Sequence, residues 1–450
     1  MNETIRTRFA PSPTGHVHIG NMRVAIYNWL VARHHGGAFL LRLEDTDRER
    51  STPEAVRTVL DALDWLGLDL DEEAIYQSAR QPAHLDAAES LLARGLAYRA
   101  DKGGTGKGEA VLLRMPDQEM TFQDEIKGPL RKPAGDLEDF VIVRSNGTPV
   151  FHLANVLDDI EMRVTHVIRG DDHIENTYRH IALYQALEAP VPRFAHLPMI
   201  VNPQGRPYSK RDGDAYVGDF RENGFLPEAL FNYMVLLGWS PGDDREVLSR
   251  EEIVSLFSLD RVKSSPAQMD AKKLEWMNGE YIRALPPGEF LDACRAALAA
   301  SPVPADGIET NYLDRVCTLM QERTKRVADF PGQAVYFFTE DFPYDKKAVR
   351  KRLCKEGVAE GLAALTVRYA ALDPFDEAST EEALRALAEE RGAGAGALVH
   401  PVRVAVSGQA GGPGLFEMLA LLGRDRVVAR MERALEKCTL PAEEKDTPAA

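Results

Sequence analysis

One stretch near the start of the chain leaves the surrounding fold little freedom. Ile5-Arg6-Thr7-Arg8-Phe9 alternates polar and apolar residues and predicts a short strand. Pro11, Pro13 and Gly15 then forbid regular structure, and Asn21 is a plausible cap for a helix running through Val24, Tyr27, Leu30 and Val31. Strand, tight loop and helix N-terminus together turn main-chain N–H groups and a positive helix end toward any phosphate lying there. Gly20 would let a flat ring approach the backbone, and His16 and His18, two residues apart, can donate to oxygens on which charge builds up.

The same alternation continues. A strand over 39–43 is followed by Glu44-Asp45-Thr46-Asp47, then by helices over about 53–66 and 82–94. Strands alternating with helices call for a parallel sheet with helical crossovers. Residues 98–150 break the rhythm with several glycines and short strand-like runs, as an insertion splitting the α/β domain would. The pattern resumes at Asn155, with a strand over 164–168 that runs out at Arg169-Gly170-Asp171-Asp172. A helix over 176–187 and a strand over 196–201 follow, and then the loop Pro207-Tyr208-Ser209-Lys210-Arg211-Asp212-Gly213. From about Pro227 the chain reads as helical, with a flexible join at 391–397 and a frayed tail after Leu440. A length of 450 residues suits two to four domains.

Residues at strand carboxyl ends line ligand sites in open α/β sheets. Those ends carry Arg8, Glu44, Arg169 and the Lys210 loop. A guanidinium fork holds a carboxylate bidentately and a carboxylate holds an ammonium, so one acid and two arginines suit a zwitterion with a second carboxylate. Lys210 and Arg211 suit the charge developing in phosphoryl transfer. A structural ion pair is the plain competitor at each position, above all for Glu44 with Arg42 nearby. No Ser/His/Asp or Cys/His nucleophile arrangement stands out.

Three features mislead. Gly103-Gly104-Thr105-Gly106-Lys107-Gly108 is not a P-loop, since Asp101 stands where the first glycine belongs and Gly108 where Ser or Thr belongs. Asp171-Asp172-His173 with His180 fits no helical metal-ligand spacing, and Gly392, Gly394 and Gly396 read as a low-complexity join. The four cysteines (Cys294, Cys317, Cys354, Cys438) are far apart, which argues against zinc and against disulfides and for a reducing compartment. No apolar run of membrane-spanning length occurs, and Met1-Asn2-Glu3-Thr4 does not begin a signal peptide. A net charge of −16 is awkward for a nucleic-acid binder, yet a binding footprint is local. Lys346, Lys347, Arg350, Lys351, Arg352 and Lys355 form one basic cluster, and Arg323, Lys325 and Arg326 a second.

Taken together, Arg8 to Asn21 and Tyr208 to Asp212 resemble the HIGH and KMSKR signatures of class I aminoacyl-tRNA synthetases. Leu41-Arg42-Leu43-Glu44-Asp45-Thr46-Asp47, Thr165 to His173 and His400 to Glu417 narrow the resemblance to bacterial glutamyl-tRNA synthetase, over nearly the whole chain. The resemblance implies a Rossmann-type parallel-sheet catalytic domain in two halves (1–97 and 151–218) around a shortened acceptor-binding insertion (98–150). A stem-contact region (219–286) and an α-helical anticodon-binding region (287–450) would follow. It implies glutamate binding by Arg8, Ala10, Ser12, Glu44, Phe151, Asn155 and Arg169, with the two arginines on the side-chain carboxylate, Glu44 on the amino group and Asn155 near the α-carboxylate. Pro11, His18, Gly20, Asn21, Ser209 and Lys210 would bind ATP, and His16, His18, Lys210 and Arg211 would assist catalysis.

The implied partners are L-glutamate, ATP with Mg2+ and tRNA(Glu), with tRNA(Gln) open as a second acceptor, for a cytoplasmic monomer without membrane or zinc. Three departures from the family pattern stand out: Pro207 replaces the first lysine of the loop, Phe151 stands for a tyrosine, and the cysteine-bearing zinc segment is missing. The first two leave room for a paralogue that binds tRNA without charging it. Small nucleotidylyltransferases with an HIGH-like motif and a short tRNA-modifying paralogue lack the helical half. Glutaminyl-tRNA synthetase has a β-rich C-terminal region instead.

Overall fold

A computed structural model describes residues 4–47, 50–101, 108–304 and 307–438. The first three residues, the glycine-rich run at 103–107 and the tail after Leu440 lie outside the described residues. Residues 1–277 and 278–450 form two compact units.

In the first unit the chain runs β1 (Arg6–Phe9), α1 (Ile19–His34), β2 (Ala38–Leu43), α2 (Pro53–Trp65), β3 (Ile75–Tyr76) and α3 (Gln81–Ala93). It continues through β4 (Ala97–Ala100), β5 (Ala110–Leu113), β6 (Met120–Asp124), β7 (Gly128–Lys132) and β8 (Phe140–Val143). Then come α4 (Phe151–Glu161), β9 (His166–Gly170), α5 (Ile174–Ala186) and β10 (Arg193–Leu197). β1, β2 and β3 pair in parallel in that order, and β10 pairs in parallel with both β9 and β6. β9 lies beside β1, where Thr165 N donates to Arg6 O at 2.9 Å. The sheet is therefore built outward in opposite directions from the β1/β9 seam, the topological switch point at which such sheets bind ligands.

The insertion is not one body. β4, β5 and β8 form an antiparallel sheet, whereas the β6/β7 hairpin extends the main sheet through β10. Leu40, Val111, Ile142, Leu153, Val156, Val167 and Phe194 share one buried core that joins both parts.

Several boundaries differ from expectation for physical reasons. His18, not Asn21, caps α1: its Nδ1 accepts from Gly20 N at 3.1 Å, and Asn21 is exposed in the first turn. The strand expected over 164–168 begins two residues later and contains Arg169, because its ladder with β10 extends to Gly170. The strand expected over 196–201 is two strands, β10 and Ile200–Val201, separated by Pro198, which cannot donate to a ladder.

In the second unit every strand-free expectation over the described residues is met by helices. The first basic cluster falls on helix Lys346–Arg352, capped by Asp345, whose carboxylate accepts from Lys347 N at 2.8 Å. Lys346, Lys347, Arg350 and Lys351 are exposed on it, and buried Ala348 and Val349 fix which face turns outward. The glycine-rich join is short, since a helix starts at Gly396.

Candidate active site

A cavity of about 700 Å3 opens at the carboxyl ends of β1, β2 and β9. Arg8, Ala10, Pro11, Ser12, His18, Gly20, Asn21, Glu44, Phe151, Asn155 and Arg169 all line it. His16, Ser209, Lys210 and Arg211 do not. His16 is exposed and its ring packs 5.2 Å from that of Tyr216.

The floor of the cavity is a buried charge network. Asp159, on α4, holds Arg8 at 3.1 Å (Nε) and 3.3 Å (Nη2), and also binds Arg42 Nη1. Arg42 reaches on to Glu44 Oε1 at 3.2 Å, and the same oxygen accepts from Asn155 Nδ2 at 3.0 Å. The Arg42–Glu44 pair expected from the sequence thus exists, but it uses one oxygen of Glu44. Burial would raise the pKa of Asp159; Arg42 and Arg8 outweigh it and hold the carboxyl below its ordinary value. Neighbouring Asp158 binds Gln77, Arg80 and His84 at 2.8–2.9 Å and so anchors the turn before α3.

Arg169 differs from Arg8. Its hydrogen bonds go to His196, His180 and Thr177 and, at 3.4 Å, to His173 O. Among the described residues no carboxylate stands within ion-pair distance of it. Burial, and after it the charge of Arg8, pushes its pKa down to about 9. A buried guanidinium without an acid favours an anion beside it. Arg23, unremarked in the sequence, is a third buried cation of the cavity, held by the carbonyls of Leu237 and Pro198.

At the other end the two signature stretches meet. Ile19 N donates to Ala215 O at 2.9 Å and Val217 N to Val17 O at 3.0 Å, so the return of the Lys210 loop pairs with the His16–His18 loop. Because His18 Nδ1 is an acceptor, its proton sits on Nε2. Burial keeps its pKa below the usual value despite a main-chain hydrogen bond at Tyr208. Asp212 shapes the lysine loop by accepting from Ser209 N and Oγ and from Asn202 Nδ2. Gly213 sits at φ +143°, where a side chain is strained, and a Cβ there would stand 2.8 Å from Tyr208 Oη and force that hydroxyl to move. Lys210 Nζ pairs with Asp219 at 3.1 Å, over the Tyr216 ring, and is 64% exposed. Such an exposed pair contributes about 0–1 kcal/mol, so a phosphate can displace it. Pro207 lines the cavity where a lysine was expected from the resemblance.

Asp159, Asp124 and His196 have no role in the sequence reading, and His173 enters it only through a metal-ligand spacing that fails. The one signal available was Asp158-Asp159 next to apolar Val156, Leu157 and Ile160, an acidic pair on a helix otherwise turned to the core.

Among the described residues no group of three or more His, Cys, Asp or Glu side chains could hold a metal ion. No helix among them is long and apolar enough to cross a membrane.

The family model described as tRNA synthetases class I (E and Q), catalytic domain, matches residues 4–104 and 101–276, and an anticodon binding domain model matches 289–435. A glutamate–tRNA ligase of Granulibacter bethesdensis is 42% identical over 95% of this chain and 96% of its own. One from Caldanaerobacter subterraneus is 38% identical over 97% and 98%. The solved structure of a glutamate tRNA ligase from Elizabethkingia meningosepticum, in complex with its amino acid, superposes with a TM-score of 0.84 at 30% identity, covering 96% of this chain and 99% of that one.

Proposed function

Since this chain belongs to the class I glutamate–tRNA ligases, we propose that it activates L-glutamate with ATP and transfers it to the terminal adenosine of tRNA(Glu). The observation that carries this reading is the pair Arg8 and Arg169 at adjacent strand ends, one acid-paired and one not, lining one cavity with Glu44.

In this reading the glutamate side-chain carboxylate lies between the two guanidiniums, and the ammonium meets the oxygen of Glu44 that Arg42 and Asn155 leave open. Asn155, whose Nδ2 is taken by Glu44, keeps a buried Oδ1 without a hydrogen-bond partner. Phe151, with Ala10 and Ser12, closes the walls. The α-carboxylate oxygen attacks the α-phosphorus, the bridging P–O bond breaks, and pyrophosphate leaves. A ribose hydroxyl of the tRNA then attacks the glutamyl carbonyl and AMP departs. The nucleophiles belong to the substrates, so the protein's work is placement and charge. Pro11, Gly20, Asn21 and the α1 N-terminus hold the nucleotide, and His18 donates from Nε2. His16, Lys210, Arg211 and Ser209 join when the exposed loop exchanges Asp219 for phosphate. Mg2+ enters with ATP as part of the substrate.

We read 98–150 as the acceptor-binding insertion, 219–286 as the stem-contact region and 287–450 as the anticodon-binding region, with the exposed cations of helix Lys346–Arg352 available to tRNA. The reading includes a monomer acting in the cytoplasm. Attachment of labelled glutamate to separate tRNA(Glu) and tRNA(Gln) transcripts tests it, with glutamine as control. Charging of tRNA(Glu) alone makes the enzyme discriminating, and charging of tRNA(Gln) as well makes it broad. Charging of neither transcript overturns the proposal in favour of a tRNA-binding paralogue.

A further inference from the structure

Arg169 is braced from a distance. Its Nε donates to His196 Nε2 at 3.3 Å, and His196 Nδ1 lies 2.6 Å from Asp124 Oδ2. The other oxygen of Asp124 accepts from the main-chain N–H of Ile126 (2.9 Å), Lys127 (2.8 Å) and His196 (3.3 Å). Asp124 and His196 are fully buried and Arg169 is 6% exposed. A carboxylate that receives main-chain donors and an imidazole N–H stays ionised. The proton of His196 is thereby fixed on Nδ1, and its Nε2 is left as an acceptor facing Arg169 and Thr177 Oγ1, which lies 3.0 Å away. Thr177 Oγ1 in turn accepts from Arg169 Nη2 at 2.8 Å.

We infer that Asp124, acting through the His196 tautomer, is a positioning residue for the guanidinium of Arg169. The β6/β7 hairpin, part of the segment inserted between the halves of the sheet, would thereby orient the amino-acid pocket. A second tie points the same way: Lys127, at the hairpin turn, binds Asp171 Oδ2 at 2.8 Å just past the end of β9. The inference rests on the reading that Arg169 holds the substrate's side-chain carboxylate.

Asp124→Asn tests it with little change of shape. The amide oxygen keeps the bonds from Ile126 and Lys127, so the NH2 must face His196 Nδ1. His196 then shifts its proton to Nε2, and a donor faces the Nε–H of Arg169. Loss of such an outer partner costs on the order of 10- to 100-fold in function. The KM for glutamate in ATP–pyrophosphate exchange, with tRNA present, should rise by that order while the KM for ATP holds within about twofold. A merely structural role of Asp124 would move both constants, or neither. In the 15N spectrum of the full chain, the His196 resonances should switch from the Nδ1–H to the Nε2–H pattern. In an Arg169→Lys background the same change should add little, because both act through one guanidinium. If Arg169→Lys raises the glutamate KM and Asp124→Asn does not, the positioning role falls and the site reading stands. If Arg169→Lys leaves that KM unchanged, both fall. An unchanged tautomer in Asp124→Asn also refutes the inference, even if the variant is less stable.

Discussion

Asp159→Asn offers a sharp test of the charge network beneath the cavity. Asp159 holds two guanidiniums, but they do not depend on it equally. Arg42 keeps Glu44 at 3.2 Å and lies 4.0 Å from Asp158, whereas Arg8 has Asp159 as its carboxylate partner among the described residues. The substitution therefore orphans one buried cation rather than two. Arg8 and Asp159 side chains are 3% and 2% exposed, so solvent screens the loss little. Breaking a buried pair by removing one partner costs about 3–5 kcal/mol. Against a domain stability of about 5–15 kcal/mol, the variant should still fold. All four tryptophans (Trp29, Trp65, Trp239, Trp276) lie in the first unit, so urea unfolding followed by their fluorescence reports on the unit that contains the network.

The pH dependence follows from the direction of the Asp159 shift. Its folded pKa lies below the ordinary 3.8, so its stabilisation is complete above that value and is lost as pH falls through the folded pKa. Asp159→Asn should remove that part of the acid limb and leave the neutral plateau lower by the stated amount. A loss below about 1 kcal/mol would refute the reasoning, because it would mean that Arg8 finds water or another partner at no cost.

Three further outcomes are expected. Arg169→Lys replaces a planar fork by a point charge and should raise the glutamate KM by roughly 10- to 150-fold, the 1.5–3 kcal/mol of a charge-assisted hydrogen bond, with the KM for ATP unmoved in pyrophosphate exchange. Pro207→Lys puts a cation on the cavity wall. At about 1 kcal/mol for two unit charges about 4 Å apart with water-like screening, pre-steady-state adenylate formation should quicken about fivefold with the glutamate KM unchanged. Protonation of His18 turns its Nδ1 from acceptor to donor against Gly20 N–H. Its folded pKa is depressed below 6.5, so the unfolded chain binds the proton first, and both stability and kcat should fall only as pH drops below 6.5. His18→Asn, which keeps an acceptor near Nδ1, should flatten that limb of the kcat profile.

How much of the site was legible followed the physics of each residue. Arg8, Glu44 and Arg169 are legible because strand alternation places them at strand ends, and Gly20 because loop breakers and the helix after them place it at a helix N-terminus; those are local properties of sequence. The α1 cap differs from the sequence expectation because asparagine has the better general propensity, whereas here a histidine Nδ1 reaches Gly20 N. The break at Pro198 is legible from proline's missing donor. Asp159 and Asp124 were invisible for a different reason. Each meets its partner across a large gap, 151 residues from Arg8 to Asp159 and 72 from Asp124 to His196, and no periodicity spans such distances.

The sequence by itself determined the alternating class of fold, the helical second half, and which side chains stand at strand ends, because 2.0- and 3.6-residue periods and backbone breakers act over a few neighbours. The tertiary structure alone decided that β9 lies beside β1 and not beside β3, that the β6/β7 hairpin joins the main sheet, and that Arg8 is neutralised while Arg169 is not. Those outcomes depend on strand order and on the balance of buried charge, and both come into being only when distant segments are brought out of water together.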